Sequence, residues 1–514
     1  MIADLPDITA RRAALAPDRV AFEEVATGRC LSYRDLDQRA CRAAAMMADR
    51  GVGEGDRVAI LCRNRVAFFE ILFACAKLGA IMVPLNWRMP ADELAPLLAD
   101  ADPALLLYGS EDAATARQVQ GHIDAIGLDE DYERLVIDTQ DRAFRALWPA
   151  DGIWYLLYTS GTTGRPKGVI YSFRMALANY VNIRSAIDLR ADDATANFMP
   201  LFHTAGINLH TLPTLIAGGR VIVLPGFDAG ALVGLLEARR LDTMFAVPTV
   251  YQALLDHPRF AAAPLDHVRH WGCGGAPLPD ILVDRYRRLG VRVCNGMGMT
   301  ETGPTAFLAD PADAWDRVGS VGKPQLLCSV RIVDAHGHDV AAGEAGDLLF
   351  AGPGVTPGYW RDAAATKAAY TDDGWLRSGD VARRDADGFY HIEGRRKEMF
   401  ISGGENVYPA EIENVLAAHP AIAEAAVVAQ PCSRWGEVGR AFIRPAKGAA
   451  APPADELEAF CRASLAAYKV PKSFHPVEDF PRTGAGKIQK HRLVDLYFPS
   501  GSTSSALSPS FSHS

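Results

Sequence analysis

Residues that suit phosphate binding are concentrated in one short stretch of the chain, residues 159–168. It contains the hydroxyl side chains of Thr159, Ser160, Thr162 and Thr163, the glycines Gly161, Gly164 and Gly168, and the cations Arg165 and Lys167. Glycine lets the backbone turn sharply and approach a ligand closely. Free backbone N–H groups in such a turn form a concavity for anions, to which hydroxyl and ammonium groups add donors and charge. The stretch predicts a loop that binds a polyphosphate.

This loop is not a Walker A motif, although its composition is similar. That motif needs a glycine, any four residues and then Gly-Lys-Ser/Thr, whereas Pro166 precedes Lys167 and Gly168 follows it. A second glycine-rich turn that ends in a cation, Lys487, fails the same test because Pro481 stands where the first glycine should be. The turn that ends in Lys487 would alone be interpreted as a basic turn near a terminus. The stretch at 159–168, which follows an apolar strand, predicts a phosphate loop by itself.

A carboxylate, Glu301, stands in a third glycine-rich segment, residues 296–303. A single carboxylate there is most often a surface residue, but beside a triphosphate it is a candidate Mg²⁺ ligand. Mg²⁺ takes one or two carboxylates plus substrate phosphates, and Thr300 could donate a hydrogen bond to a phosphate. The segment is not a dinucleotide fingerprint, because Glu301 follows Gly296 and Gly298 where a third glycine should be. A dinucleotide oxidoreductase is therefore rejected.

Together these segments resemble the adenylate-forming superfamily of acyl- and aryl-CoA synthetases, nonribosomal adenylation domains and luciferases. The resemblance extends over about residues 10–495. It implies that ATP phosphates bind at Thr159, Ser160, Gly161, Thr162, Thr163, Gly164 and Lys167. It also implies that Glu301 holds Mg²⁺ and that Thr300 contacts the α-phosphate. Lys487 would bridge the attacking carboxylate and the α-phosphate, offsetting charge that develops in the transition state.

The resemblance also assigns the nucleoside and the other substrates. The implied nucleoside contacts are Gly274, Ala276, Pro277, Met297, Gly298, Asp380 and Arg395. Met297 stands where family members commonly have an aromatic residue on the adenine, and its polarizable side chain can pack on an aromatic face. Asp380 matches the aspartate that accepts hydrogen bonds from both ribose hydroxyls, and Arg395 matches a second ribose contact.

Two further elements are implied to handle the acid and the thiol. His203 would line the acyl pocket and gate the carboxylate, although a histidine between apolar residues is more often a core residue. Gly403 and Gly404 resemble the thioester-forming loop of CoA ligases. Lys397 occupies a hinge position, where a few backbone torsions would let a small domain swing. Trp435, with the two residues after it, matches a region near the CoA path.

The elements that must position these residues alternate between strand and helix. Strands are predicted at 57–61, 79–85, 105–108, 153–157, 221–224, 243–247 and 291–294. Helices are predicted at 67–78 and 173–188, and a third begins at a capping box at Ser32 and ends at Gly51. This order predicts βαβ crossovers and a largely parallel sheet with functional loops at the carboxyl ends of strands. Residues 110–150 read as a peripheral connection, and 330–350 as a β-rich subdomain.

At 514 residues the chain exceeds what one core organises. The predicted fold class is α/β, with a large N-terminal domain of βαβ-type sheets and a small β-rich subdomain, plus a small mobile C-terminal α/β domain. The domains are residues 1–394 and 395–498, followed by a serine-rich tail, 499–514, predicted to be disordered. In the second domain, helices are predicted at 410–418 and 456–467 and strands at 423–429 and 441–443.

Composition excludes several classes of protein. The net charge of −9 disfavours a general nucleic-acid binder. Nine cysteines without a Cys-x-x-Cys pair disfavour a zinc site or a disulfide scaffold. The N-terminus lacks the apolar core of a signal peptide, and Glu70 and Lys77 interrupt the most hydrophobic stretch, so no membrane span is expected. The expectation is a soluble cytoplasmic protein, with the oligomeric state, a homodimer included, left open.

The predicted function is ATP-dependent activation of a carboxylic acid to an acyl-adenylate, followed by transfer to coenzyme A. Apolar or small walls at 203–208, 245–248 and 272–275 favour a hydrophobic medium-chain or aromatic acid. ATP, Mg²⁺ and CoA are the expected cofactors and co-substrate. An amide ligase with an amine acceptor is the alternative. A non-catalytic nucleotide-binding regulator is opposed by the presence of Lys487 and Glu301.

Overall fold

The computed structural model describes residues 3–159, 166–482 and 488–497. The chain divides into a larger N-terminal unit that ends at Ile392 and a smaller C-terminal unit that begins at Glu393. This division lies close to the predicted boundary at residue 394. The predicted tail, 499–514, lies outside the described residues.

The N-terminal unit contains most of the secondary structure. Its strands are β1 (Asp4–Pro6), β2 (Val20–Glu24), β3 (Arg29–Ser32), β4 (Arg57–Leu61), β5 (Ile81–Pro84), β6 (Leu105–Tyr108), β7 (Asp124–Gly127), β8 (Leu147–Pro149), β9 (Ile153–Thr159), β10 (Lys167–Ser172), β11 (Ala194–Asn197), β12 (Arg220–Val223), β13 (Thr243–Ala246), β14 (His270–Cys273), β15 (Val293–Met297), β16 (Phe307–Leu308), β17 (Lys323–Pro324), β18 (Ser329–Val333), β19 (Ala345–Ala351), β20 (Leu376–Arg384) and β21 (Tyr390–Arg395). Its helices are α1 (Ile8–Leu15), α2 (Tyr33–Asp49), α3 (Val66–Leu78), α4 (Ala91–Ala101), α5 (Ala113–Val119), α6 (Glu133–Asp138), α7 (Phe173–Ile187), α8 (Thr211–Ala217), α9 (Ala229–Glu237), α10 (Pro248–Leu255), α11 (Asp280–Arg288) and α12 (Ala363–Ala369).

Two large sheets form the framework of this unit. One has the order β10-β9-β5-β4-β6-β7, in which β9, β5, β4, β6 and β7 run parallel and β10 is antiparallel to β9. The other has the order β17-β16-β15-β14-β13-β11-β12-β2-β3, and its interior from β15 to β2 is parallel. Buried apolar strands with helices between them account for this arrangement. The predicted crossovers and parallel sheet are confirmed.

The β-rich subdomain is also confirmed. Strands β18, β19, β20 and β21 form a separate sheet in that order, and β18 and β20 both run antiparallel to β19. The turn after β18 is closed by the Asp334 carboxylate, which accepts the backbone N–H groups of His336 at 2.8 Å and His338 at 2.9 Å. A short aspartate side chain that bonds its own backbone in this way is a common turn device.

The C-terminal unit is a small α/β domain. Its elements are β22 (Phe400–Ser402), β23 (Glu405–Val407), α13 (Pro409–Ala417), β24 (Ile422–Cys432), β25 (Gly436–Pro445), α14 (Ala454–Arg462), β26 (Ser473–Pro476) and α15 (Lys490–Tyr497). The sheet has the order β23-β22-β25-β24, with β26 paired to β25. The predicted helix 456–467 is too long, because the chain turns after α14 and Leu465 enters the core instead.

The weakly patterned segment 110–150 is more ordered than predicted. It forms α5, β7, α6 and β8, and β7 extends the first sheet at its edge beside β6. The pattern was weak because these elements are short and acidic, and they are held partly by ion pairs. Arg65, for example, lies 2.7 Å from Glu111 and 2.9 Å from Asp129. The segment was predicted only as a peripheral connection. The edge position of β7 agrees with that, whereas its four elements were not predicted.

Local signals in the sequence set element ends as expected. Ser32 Oγ accepts the Asp35 backbone N–H at 3.1 Å, and the Asp35 carboxylate accepts the Ser32 backbone N–H at 2.9 Å. This capping box begins α2, as predicted. Gly51 follows the helix with a φ of 83°, a conformation that favours glycine.

The two charges that interrupt the most hydrophobic stretch are buried and paired on α3. Glu70 accepts from Arg39 Nε at 2.6 Å, and Lys77 Nζ lies 2.6 Å from Asp7 and 2.7 Å from Asp37. Removing one partner of a buried pair costs about 3–5 kcal/mol, so these pairs hold α3 in place. Among the described residues, no helix has both the length and the apolar character needed to cross a bilayer.

Candidate active site

The predicted phosphate segment connects β9 to β10. Thr159 and Lys167 are directly paired across these antiparallel strands, and Thr159 Oγ1 lies 3.5 Å from the Lys167 carbonyl oxygen. Ser160, Gly161, Thr162, Thr163 and Gly164 lie outside the described residues. The strand pair holds the two ends of the segment side by side. The sequence predicted β9, whereas β10 was not predicted.

Lys167 and Glu301, from two separate predicted motifs, meet at one tyrosine. The Lys167 Nζ lies 5.0 Å from the ring centroid of Tyr359. The Tyr359 hydroxyl donates to Glu301 Oε1 at 3.0 Å. Glu301 is only 8% exposed, and its backbone carbonyl accepts the Thr356 N–H at 2.8 Å. The phosphate strand and the acidic loop therefore share one cluster, which we call the Lys167–Tyr359–Glu301 cluster.

The electrostatics of this cluster keep the tyrosine neutral. Burial, followed by the nearby Glu301 charge and the hydrogen bond to it, raises the pKa of Tyr359. Burial and the same charge raise the pKa of Tyr370 to about 12. Both phenols therefore keep their protons at neutral pH. Tyr359 donates a hydrogen bond to one oxygen of the Glu301 carboxylate. This bond orients the carboxylate, and the neutral phenol brings no charge of its own.

The loop that carries Glu301 folds back sharply on itself. Met297 pairs with Phe307 in the β15–β16 ladder, and its carbonyl accepts the Ala306 N–H at 3.0 Å. A Cβ built on Gly298 would overlap the carbonyl oxygen of Pro304, so only glycine fits. Met297 and Thr300 are half-buried at this turn. The close contact with the Pro304 carbonyl therefore explains why residue 298 is a glycine.

The predicted adenine wall follows the carboxyl end of β14. A Cβ on Gly274 would lie 2.9 Å from the Gly296 carbonyl oxygen and 3.0 Å from Phe245 Cζ. Gly274 is buried, whereas Ala276 and Pro277 are exposed. The β14 and β15 strands are parallel neighbours, so the wall and the Met297 loop emerge at the same sheet edge.

Asp380 lies within β20 and is fixed by its strand. Asp380 is 5% exposed, and its backbone N–H donates a hydrogen bond to Ser378 Oγ at 2.9 Å. The Ser378 hydroxyl donates to the Leu348 carbonyl at 2.7 Å on the neighbouring strand. Arg395, the second predicted ribose contact, is the last residue of β21. This strand begins in the N-terminal unit and ends after the division at residue 393, so Arg395 itself belongs to the C-terminal unit.

His203 begins a hydrogen-bonded segment that also reaches the Glu301 region. Its ring lies 4.5 Å from that of Phe202, between centroids, and its backbone N–H donates to Pro200 at 3.1 Å. The next residue, Thr204, has its hydroxyl 2.7 Å from that of Tyr171. Burial raises the pKa of Tyr171, and the Glu301 charge raises it further. The predicted acid wall thus adjoins the acidic loop.

In the C-terminal unit, two predicted CoA-path segments are neighbours. The Gly403 N–H donates to the Trp435 carbonyl at 2.8 Å, and a Cβ on Gly403 would lie 2.8 Å from the Trp435 ring. Gly403 and Gly404 have φ values of 63° and 91°, which favour glycine. The Glu437 carboxylate accepts the Ile401 N–H at 3.0 Å. Lys487 lies outside the described residues.

Comparison with known protein families decides the relationship. Residues 9–360 match the family model described as AMP-binding enzyme, and residues 411–487 match the model of the AMP-binding enzyme C-terminal domain. The chain belongs to the AMP-binding enzyme family. The resemblance drawn from the motifs and the predicted fold class are therefore confirmed.

Individual relatives in the AMP-binding enzyme family extend over the whole chain. The feruloyl-CoA synthase of an Amycolatopsis species is 41% identical over 489 residues, covering 93% of this chain and 96% of that protein. The indoleacetate–CoA ligase of Aromatoleum aromaticum is 38% identical over 499 residues, covering 95% of this chain and 96% of that protein.

A solved AMP-binding enzyme has the same fold. The o-succinylbenzoate CoA synthetase of Bacillus subtilis, in complex with the acyl-adenylate intermediate OSB-AMP, has a TM-score of 0.88 at 29% identity, covering 96% of this chain and 98% of that one. Its complex with ATP and a magnesium ion also has a TM-score of 0.88 at 29% identity, covering 96% and 100%.

The acidic loop of this AMP-binding enzyme fits a divalent cation. Contacts with the chain's own backbone carbonyls explain the glycines at 274 and 298. The described ranges hold no group of three or more His, Cys, Asp or Glu residues that could bind a metal. A lone carboxylate such as Glu301 suits Mg²⁺, which usually keeps several waters and takes further ligands from substrate phosphates.

One residue of this site was not predicted from the sequence. Tyr359 connects Lys167 to Glu301 and lies far from both along the chain. The glycines at 352, 354 and 358 just before it are the one local signal that could have drawn attention to this segment. Val169 and Tyr359 form an isolated bridge, and the Trp360 N–H donates to the Gly168 carbonyl at 2.7 Å. Only pairing with β10 reveals its position.

Proposed function

We propose that this chain is an AMP-forming acid–CoA ligase that acts on an aromatic carboxylic acid. A carboxylate oxygen of the acid attacks the α-phosphorus of ATP, forming an acyl-adenylate and releasing pyrophosphate. The CoA thiolate then attacks the acyl carbon, a thioester forms, and AMP leaves with the electron pair of the broken bond. The Lys167–Tyr359–Glu301 cluster carries this proposal, because it joins the phosphate strand and the acidic loop.

In the first half-reaction, this chain's residues position the ATP and stabilise charge. Thr159 and Lys167, with the segment between them, hold the phosphates that leave as pyrophosphate, and Thr300 contacts the α-phosphate. Glu301 holds Mg²⁺, which when bound neutralises charge on the phosphates. Positioning and electrostatic stabilisation supply most of the catalysis of such transfers. Tyr359 orients Glu301 by the 3.0 Å hydrogen bond.

The remaining nucleotide contacts follow the family resemblance. Asp380, buried and fixed within β20, accepts hydrogen bonds from the ribose hydroxyls, and Arg395 adds a second ribose contact. Met297 packs on the adenine beside Gly274. Lys487 offsets the charge that develops when the carboxylate attacks.

The second half-reaction uses the glycine loop of the C-terminal unit. Gly403 and Gly404 have positive φ values, and Trp435 packs where a side chain at residue 403 would lie. We assign this loop to the approach of the CoA thiol. The relatives that are named for CoA ligation support a thiol acceptor rather than an amine.

An aromatic acid is favoured by the relatives and by the walls of the site. The relatives are named for feruloyl-CoA and for indoleacetate, both with aromatic acyl groups. In this chain, His203 lies against Phe202, and Phe245 lies against Gly272 and Gly274. Aromatic side chains of this kind pack well against an aromatic ring.

A product comparison tests the proposed reaction. Purified protein is supplied with ATP, Mg²⁺ and a panel of carboxylic acids, together with CoA, with free amino acids or with hydroxylamine. We expect AMP, pyrophosphate and an acyl-CoA thioester in the presence of CoA, with aromatic acids ahead of aliphatic ones. Adenylate formation without any CoA-dependent thioester, or an amide in its place, would rule out the ligase assignment.

Replacing Asp380 with alanine should mainly weaken the use of ATP. The variant loses an acceptor that pairs with ribose hydroxyls, whereas the acid site is unchanged. We expect the KM for ATP to rise about 10- to 100-fold, in line with the loss of a hydrogen bond to a charged group. Initial rates at varied ATP and fixed acid check this, with Asp387→Ala on the exposed turn after β20 as the control. An unchanged ATP dependence would refute the ribose assignment.

A further inference from the structure

A polar cluster is buried on one face of the second large sheet. Thr243 on β13 pairs with His270 on β14, and two residues further along Phe245 pairs with Gly272. Side chains alternate along a strand, so these four positions share one face. The intervening residues, such as Met244 and Trp271, lie in the apolar core on the other face. The face that holds His270 is therefore distinct from that core.

A second histidine completes the cluster from the helical layer. His210 precedes α8, and its ring centroid lies 5.8 Å from that of His270 and 5.8 Å from that of Phe245. His210 is 5% exposed, His270 2% and Thr243 0%. We refer to His210, His270 and Thr243 as the buried polar cluster.

The polar atoms of this cluster lack partners. Within the described ranges, both ring nitrogens of His210, both of His270 and Thr243 Oγ1 have no hydrogen-bond partner. Buried polar groups are nearly always bonded, and an exception calls for an unseen water, ion or ligand group. Several exceptions at neighbouring positions on one sheet face point to a shared missing partner.

Both imidazoles are neutral in this setting. Burial lowers the pKa of His210 to about 3. Burial, with the positive charge of Arg269 nearby, holds the pKa of His270 well below its usual value. A neutral imidazole has one N–H donor and one acceptor nitrogen. The pair thus offers donors and acceptors together, which suits a hydroxyl group that both donates and accepts.

The cluster lies beside the predicted walls of the acid site. A Cβ on Gly272 would lie 2.6 Å from Phe245 Cδ2 and 3.0 Å from His270 Cε1. Phe245 also lies against Gly274, at the start of the adenine wall. His210 follows directly on the segment that begins at His203. The residues that line the acid site and the cluster are therefore contiguous.

Resting on the proposed function, we infer that His210 and His270 form the polar end of the acid site and bind a hydroxyl on the substrate's aromatic ring. The substrate class is then a phenolic carboxylic acid. The hydroxyl donates to one imidazole nitrogen and accepts from the other ring's N–H. His210 and His270 are specificity-determining residues that contact the substrate away from the reacting carboxylate.

The test compares matched acids with and without the ring hydroxyl. The kcat/KM for CoA-thioester formation is measured with 4-hydroxycinnamate, cinnamate and 4-methoxycinnamate. We expect the wild-type enzyme to prefer the phenol about 10- to 100-fold over cinnamate, because the unsubstituted ring leaves the imidazoles unpaired. The methoxy acid, which cannot donate, should also be disfavoured. Equal kcat/KM values for the phenol and cinnamate in the wild-type enzyme would overturn the inference.

Variants locate the effect. His210→Leu and His270→Leu should bring the phenol-to-cinnamate ratio of kcat/KM close to one. His270→Gln, which keeps a donor and an acceptor, should retain a preference for the phenol. His122→Leu, at an exposed histidine, is the control. An unchanged ratio in both leucine variants, with thermal melting showing folded protein, would mean that water alone fills the cluster. Absence of a thioester from every acid would instead refute the proposed function itself.

Discussion

Replacing Glu301 with glutamine should lower acid-dependent ATP–pyrophosphate exchange about 100- to 1000-fold, the range found when one charge-stabilising group is removed from an active site. Glutamine keeps the shape and can still accept the hydrogen bond from Tyr359. It lacks the negative charge through which a carboxylate binds a magnesium ion strongly. We expect the residual exchange to need a much higher Mg²⁺ concentration, which a titration at fixed ATP measures.

Tyr359→Phe is the matched control for this variant. It removes the hydroxyl that orients Glu301 but keeps the ring 5.0 Å from the Lys167 Nζ. The loss of one hydrogen bond predicts a fall of about 10-fold or less, without a large change in Mg²⁺ dependence. If Glu301→Gln shows wild-type exchange and wild-type Mg²⁺ dependence, the metal assignment is wrong. If the two variants are equally impaired, Glu301 acts only as a structural partner of Tyr359.

The second large effect is expected for Lys487→Ala. Lys487 lies outside the described residues, so its role rests on the family resemblance and on the charge of the transition state. A lysine between the carboxylate and the α-phosphate stabilises charge only while the adenylate forms. We expect adenylate formation to fall about 100- to 1000-fold, measured as pyrophosphate exchange, with thioester formation from supplied acyl-adenylate and CoA nearly unchanged.

The two half-reactions supply an internal check on Lys487. Lys447→Ala, at an exposed lysine of the same unit, removes a charge of the same sign and should leave both steps unchanged. Equal loss of both steps in Lys487→Ala would contradict the assignment of this lysine to the first step. A circular dichroism spectrum that matches the wild type establishes that the loss is not one of folding.

Many of the strands and helices could be predicted from short stretches of sequence. The capping box at Ser32 and the apolar strand at 153–157 are encoded within a few residues, because capping and periodicity depend on near neighbours. Elements were missed where the local sequence pattern is weak and contacts with distant residues stabilise the element. The 110–150 segment is held by packing of Ile126, Tyr132 and Trp148 in the core, and β10 exists because β9 pairs with it.

The sequence by itself determined the family, the phosphate segment and much of the alternation of strands and helices, since glycine positions, side-chain charge and hydrophobic period are properties of short stretches. Only the tertiary structure decided that Tyr359 joins Lys167 to Glu301 and that His210 and His270 meet beneath Gly272. These residues are far apart in the chain and carry no shared motif. Their proximity follows from sheet order and register, which depend on the packing of the whole unit.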